Sequence, residues 1–129
     1  MDYTIQNLEK HEDHRGWLTE LLRTDEIGEF NQVYCATIEP GEKRGGHYHK
    51  NRKEWFTIVR GDGVFKLWNK ELAKLKEVIC IPVSGKDLTR IHIPVDMFHE
   101  IENTGDSELI FVSAISDLYD KDNSDTYYG

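Results

Sequence analysis

The chain has 129 residues, 38% of them hydrophobic, with a mean hydropathy of −0.63 and a formal net charge of −8. That length suits one domain, residues 1–129, built on a single core. The acidic balance argues against a general nucleic-acid or membrane-surface binder, and no apolar run approaches the ~20 residues needed to span a bilayer.

The opening MDYTIQ has neither a basic region nor an apolar stretch, so no signal peptide is expected and the cytoplasm is the expected compartment. Residues 1–10 carry Tyr3, Ile5 and Leu8, too few apolar positions to fix a helix or a strand. His11 and His14 sit in a polar turn, 11–16, and read as surface residues. Residues 17–23 are expected as a strand or edge segment, and 24–31 as a connection rich in Asp, Glu and Gly. Residues 32–38 are apolar on both alternating sets and read as a fully buried strand, with Tyr34 in the core. Cys35 and Cys80 lie in such runs without paired spacing and are expected as reduced core residues.

Pro40-Gly41 turns the chain into GEKRGGHYHKNRKE. Residues 50–53 read as a turn and 55–59 as a strand; Gly61-Asp62-Gly63 signals a hairpin into the strand 64–68. Residues 69–72 are expected as a loop, 76–83 as a strand and 84–87 as a turn. In 88–93, Thr89, Ile91 and Ile93 share one face and Arg90 and His92 the other, with His92 at the rim. Residues 98–101 carry His99, 103–107 turn, and 108–115 is apolar enough for a central strand. The tail, 117–129, is polar, with Tyr119, Tyr127 and Tyr128. Many short strands between Gly, Pro, Asn and Asp turns, and no long 3.6-residue pattern, predict an all-β sandwich or barrel such as a double-sheet jelly roll.

The chemistry concentrates after Gly41. On a strand, His47 and His49 point to one face and Tyr48 to the other. A hairpin brings Glu54 back beside them, and His99 arrives from a later strand. Three imidazoles and a carboxylate make a site for a divalent metal, zinc before nickel, iron or manganese, with room for further ligands. The same segment, 41–60, sets Lys43, Arg44, Lys50, Arg52, Lys53 and Arg60 against Glu42 and Glu54, a local +4 against −12 for the remainder. Such a basic segment suits a phosphate or diphosphate, and equally a solvated loop. Arg44, whose planar fork fits a phosphate bidentately, is the leading contact, with Tyr48 and Lys53 as further substrate-binding candidates.

The spacing resembles the cupin superfamily. Gly41, His47, His49, Glu54 and Gly61 fit its first motif, G-x5-H-x-H-x4-E-x6-G. Pro94, His99 and Asn103 fit its second, P-x-G-x2-H-x3-N, with Asp96 where glycine is usual. The resemblance implies a cupin barrel, a double-stranded β-helix. Asp13-His14-Arg15-Gly16-Trp17-Leu18-Thr19-Glu20 and Arg44-Gly45-Gly46-His47-Tyr48 resemble segments of the dTDP-4-dehydrorhamnose 3,5-epimerase family. The middle block, and the end from Leu118 to Tyr127, resemble the cupin domain of bifunctional capsular-polysaccharide nucleotide-sugar reductases.

These resemblances imply a nucleotide-sugar epimerase acting on a 4-keto-6-deoxy hexose for surface polysaccharide. A 4-ketone acidifies the hydrogens on C3 and C5; a base removes one and an acid returns a proton to the opposite face. In the rhamnose-type epimerases the histidine matching His47 is the base, and a tyrosine near the last strand is the acid; Tyr119 is nearest by spacing, with Tyr48 and Tyr34 as alternatives. In metal cupins His47 is instead a ligand, and one nitrogen cannot do both. With His49, Glu54 and His99 all present, His47 is read as a ligand first. Rival readings are a 3,4-ketoisomerase of the same sugars, a metal dioxygenase, and a non-catalytic sugar-binding cupin. Small cupins commonly pair, so a homodimer is expected, with a reductase as a possible separate partner.

Overall fold

The computed structural model describes residues 3–69, 78–122 and 124–128. Two five-stranded antiparallel sheets face each other. The first runs β1 (Thr4–Asn7), β9 (Thr89–Ile93), β6 (Glu54–Arg60), β11 (Leu109–Ile115), β4 (Gln32–Ile38). The second runs β12 (Tyr127–Tyr128), β5 (Lys43–Tyr48), β10 (Met97–Asn103), β7 (Asp62–Asn69), β8 (Ile79–Ser84). A separate hairpin pairs β2 (His11–Asp13) with β3 (Gly16–Leu18). The one helix among the described residues, α1 (Thr24–Ile27), is a single turn, so none is long and apolar enough to cross a membrane. This is the all-β jelly roll that the strand pattern predicts.

Alternation builds the core. Phe65 and Leu67 on β7 are 0% exposed, and they meet Phe56 and Ile58 of β6, Ile91 and Ile93 of β9, and Phe111 of β11. Each such side chain contributes roughly 1.5–3 kcal/mol by leaving water. β11 lies between β6 and β4, as its apolar run predicts. Asn103 is 1% exposed and braces the turn after β10: its Nδ2 donates to the carbonyls of Ile38 and Ser107, and its Oδ1 accepts from the Gly105 amide.

Several expectations are corrected. β4 is the outermost strand of its sheet, so only Tyr34, Ala36 and Ile38 face inward, while Val33, Cys35 and Thr37 are exposed. Cys80, on the outermost strand of the other sheet, is exposed too; both cysteines are free, but neither is in the core. Residues 17–23 contribute a strand only through Trp17 and Leu18, and the connection that follows contains α1. The tail adds a strand, β12, that its polar composition conceals. The expected loop at 69–72 and the start of the strand at 76–83 fall largely outside the described residues.

Candidate metal and sugar site

The site lies where β5 passes β10. His47 is directly opposite His99 and Gly45 opposite Glu100, so Gly46 is an extra residue in β5. Gly45 and Gly46 have φ of 104° and 79°, in the left-handed region that glycine tolerates. A Cβ on Gly45 would lie 2.6 Å from the His99 carbonyl oxygen. The glycine pair is therefore a β-bulge, and the bulge aims His47 across at His99. Asp96, where the cupin motif usually has glycine, has φ 64°, and its amide donates to the His49 carbonyl at 2.7 Å. It holds the end of β5 beside the turn into β10.

His47, His49 and His99 converge, with one donor atom from each lying within 4.8 Å of the others. His49 Nε2 is 2.7 Å from Glu54 Oε1, and both residues are buried. That contact is short but misdirected: His49 Nε2 has no properly oriented hydrogen-bond partner. The other ring nitrogen, Nδ1, lies 2.5 Å from the Asp125 carbonyl. A carbonyl only accepts, so the proton sits on Nδ1 and Nε2 presents a lone pair. His99 Nδ1 likewise faces the Met97 carbonyl at 3.4 Å. A buried lone pair against a carboxylate oxygen calls for a cation, and N,N,N,O donors fit a divalent transition metal.

Protonation states agree with this. Burial, reinforced by His49, pushes His47 down to about 4. Burial above all does the same to His99, also to about 4. Both are neutral at pH 7. Burial pushes Glu54 upward, but His49, His99 and Arg52 outweigh it and hold the carboxyl below its usual range. Its Oε2 accepts from Ser113 Oγ at 3.1 Å and Tyr34 Oη at 3.3 Å. Burial and the Glu54 charge raise Tyr34, which keeps its proton.

Two cavities share Tyr34 and His47 as walls. One, about 210 Å³, is mostly apolar, with Phe56, Phe111 and His99, and has Arg44 on its lining. The other, about 300 Å³, carries more ionisable side chains, among them His49, Glu54, Arg52 and Tyr119. Of the residues expected at the site, the fold thus gathers His47, His49, Glu54, His99, Arg44 and Tyr119. It does not bring in Tyr48, whose ring packs on Tyr127 and Phe98 on the other face of β5. Nor does it bring in Lys53, which lines a separate cavity of about 680 Å³ with Trp55, Arg90 and His92. Sequence reasoning missed Asp125, whose carboxylate accepts from the amides of Lys50, Asn51 and Arg52 at 3.1, 2.6 and 2.9 Å. It also placed Arg52 in an open turn, where the structure buries it at 7% exposure.

Residues 11–127 match the family described as the polysaccharide biosynthesis C-terminal domain. The chain belongs to this family. It is 32% identical over 117 residues to a UDP-2-acetamido-2,6-beta-L-arabino-hexul-4-ose reductase of Pseudomonas aeruginosa, covering 91% of this chain but 30% of that protein. The capsular polysaccharide assembling protein CapF of Staphylococcus aureus superposes with a TM-score of 0.71 at 32% identity, over 94% of this chain and 34% of CapF. This polysaccharide-biosynthesis domain thus spans about a third of the length of those two relatives. ChmJ, a 3'-monoepimerase from Streptomyces bikiniensis, superposes with a TM-score of 0.84 at 19% identity, over 98% of this chain and 68% of ChmJ. That likeness establishes the shared jelly-roll fold.

Proposed function

We propose that this domain is a nucleotide-sugar epimerase, exchanging a proton next to the ketone of a 4-keto-6-deoxy hexose during surface-polysaccharide synthesis. The observation that carries this reading is His47: a neutral, buried imidazole that forms a wall of two cavities, with Arg44 on one and Tyr119 on the other. Arg44 is exposed and, among the described residues, has no carboxylate partner, which suits a diphosphate. Tyr34, Phe56 and Phe111 offer one face to a sugar ring, and Tyr119 is the proton donor on the other side. Its relatives, a UDP-linked hexulose reductase and a capsular polysaccharide assembling protein, support a sugar-nucleotide substrate.

His47, His49, His99 and Glu54 would hold the metal, zinc first among the candidates. When bound, it would supply Lewis-acid stabilisation of negative charge on a substrate oxygen. The protein's own residues bind the diphosphate, orient the ring and return the proton. We also read the protein as a cytoplasmic homodimer. β4 leaves Val33 47% exposed at a sheet edge, and the isolated β2–β3 hairpin leaves Leu18 63% exposed. A monomer in light scattering at working concentration would refute the dimer.

The deciding test is deuterium wash-in. The protein is incubated in D2O with UDP- and dTDP-linked 4-keto-6-deoxy hexoses, and the sugar is read by NMR. Deuterium at C3 or C5 is expected, lost on chelation and restored by metal. No exchange with any of them, in folded and metal-loaded protein, would overturn the epimerase reading. Exchange that rises on chelation would make His47 a base rather than a ligand.

A further inference from the structure

Arg44 and Arg52 line the two cavities that share His47, and they differ in their carboxylate partners. Arg44 keeps its charge to itself: its Nε donates to the Thr37 carbonyl at 2.9 Å, and no carboxylate pairs with it among the described residues. Arg52 is different. Its side chain is 8% exposed, and its Nε donates to Asp117 Oδ1 at 3.1 Å. The fork of Nη1 and Nη2 has no hydrogen-bond partner among the described residues, and Arg52 lines the cavity beside His47 and Glu54. The Tyr119 ring lies 5.9 Å from the guanidinium carbon, closing one side.

A guanidinium already paired with a carboxylate, and facing the Glu54 carboxylate across the same small cavity, is a poor receptor for a doubly charged diphosphate. It is a good donor to a neutral oxygen, and a better one as that oxygen gains charge. Resting on the epimerase reading, we infer that Arg52 binds the ketone oxygen of the sugar, leaving the diphosphate to Arg44. When the proton on the carbon next to the ketone passes to solvent water in the open cavity, its bonding pair moves onto that oxygen, giving an enolate. Tyr119 returns a proton to the opposite face of the carbon, which restores the ketone, and takes its replacement from solvent. Arg52 donates to the oxygen throughout and most strongly to the enolate, which places it among the catalytic residues. Asp117 is a positioning residue that fixes the fork through Nε.

The experiment compares wild type, Arg52→Gln and Arg44→Gln in two assays: calorimetric binding of UDP and dTDP, which lack the sugar, and deuterium wash-in with the corresponding 4-keto-6-deoxy sugars. Loss of one preorganised donor to a developing oxyanion costs about 10²–10³ in rate. Arg52→Gln is therefore expected to slow wash-in by about 10²-fold or more, through kcat, while nucleotide diphosphate affinity stays within a factor of about three of wild type. Arg44→Gln is expected to weaken the nucleotide diphosphate at least about tenfold. Retained diphosphate binding also reports that Arg52→Gln is folded. If it is not folded, Arg52→Lys, which keeps the charge against Asp117 but loses the planar fork, carries the same comparison. Wild-type exchange that Arg52→Gln leaves unchanged would overturn the inference alone. Equal loss of diphosphate binding and exchange would make Arg52 a phosphate anchor and overturn it too. No exchange in wild type would remove the epimerase reading and this assignment with it.

Discussion

Asp125 shows how one residue organises others far away in the chain. Its backbone carbonyl fixes the His49 tautomer, and its carboxylate gathers three successive amides of the turn between β5 and β6. Burial would raise its carboxyl, but those three amides hold it below the usual range. Asp125→Ala leaves the amides short of an acceptor, at a cost of order 1–3 kcal/mol. Alanine keeps the backbone carbonyl that accepts from His49 Nδ1, so the ring is disturbed only as far as the segment carrying that carbonyl slackens, and metal binding should fall by less than the 10–100-fold typical of losing an orienting partner outright. Both effects are expected together, in calorimetric unfolding and in chelator competition; unchanged metal affinity would confine Asp125 to stability. Histidine protonation gives a second expectation. His47 and His99 fold with values near 4 against an ordinary 6.5, so between those limits the unfolded chain binds more protons. Metal-free protein should thus lose stability as pH falls from about 6.5 toward 4, with Glu54 adding to the loss below its ordinary 4.5. Urea midpoints across that window test it, and a flat profile would contradict the burial of neutral rings.

At the scale of elements, His47 and His49 two residues apart announce a shared face, but the bulge in β5 goes unread, because Gly45-Gly46 marks it only once the pairing with β10 is known. Gly45→Ala would place a methyl group 2.6 Å from the His99 carbonyl oxygen at φ 104°. The cost should be about 2 kcal/mol or more, and metal binding should fall with it, because the strain is released by moving β5 off β10. A variant of wild-type stability in chemical denaturation would mean the bulge is not held as described. Other elements were hidden for physical reasons. An apolar run does not say whether its strand is central or outermost, which is why β4, with Val33 and Cys35, reads as fully buried. β12 is two residues long and gains its pairing from β5, some 80 residues earlier, so no local pattern marks it. Arg52 looks like one more turn cation because its burial comes from the Asp117 segment folding back over it.

For the whole molecule, the metal set joins the two sheets. His47 and His99 belong to β5 and β10 of one sheet, whereas Glu54 opens β6 of the other, and His49 hangs between them on the segment clasped by Asp125. An ion held by all four would tie together faces otherwise joined by side-chain packing and by hydrogen bonds such as those from Asn103 to the Ile38 carbonyl and from Arg44 to the Thr37 carbonyl. Because the unfolded chain does not assemble these donors, binding stabilises the fold by linkage: about 2.7 kcal/mol at a free metal concentration 100 times Kd. For a domain of this size that corresponds to a rise of about 10 °C in Tm. Zinc, nickel, manganese and ferrous iron titrated into chelated protein should each be ranked by this rise, and the native metal should be prominent among them. His99→Ala should abolish the shift, since it removes one of the three nitrogen donors and one of the two on the sheet facing Glu54. A Tm that no metal moves in wild type would mean that the cation between His49 and Glu54 is a proton, and that the two sheets close over a hydrogen-bonded pair instead of a metal.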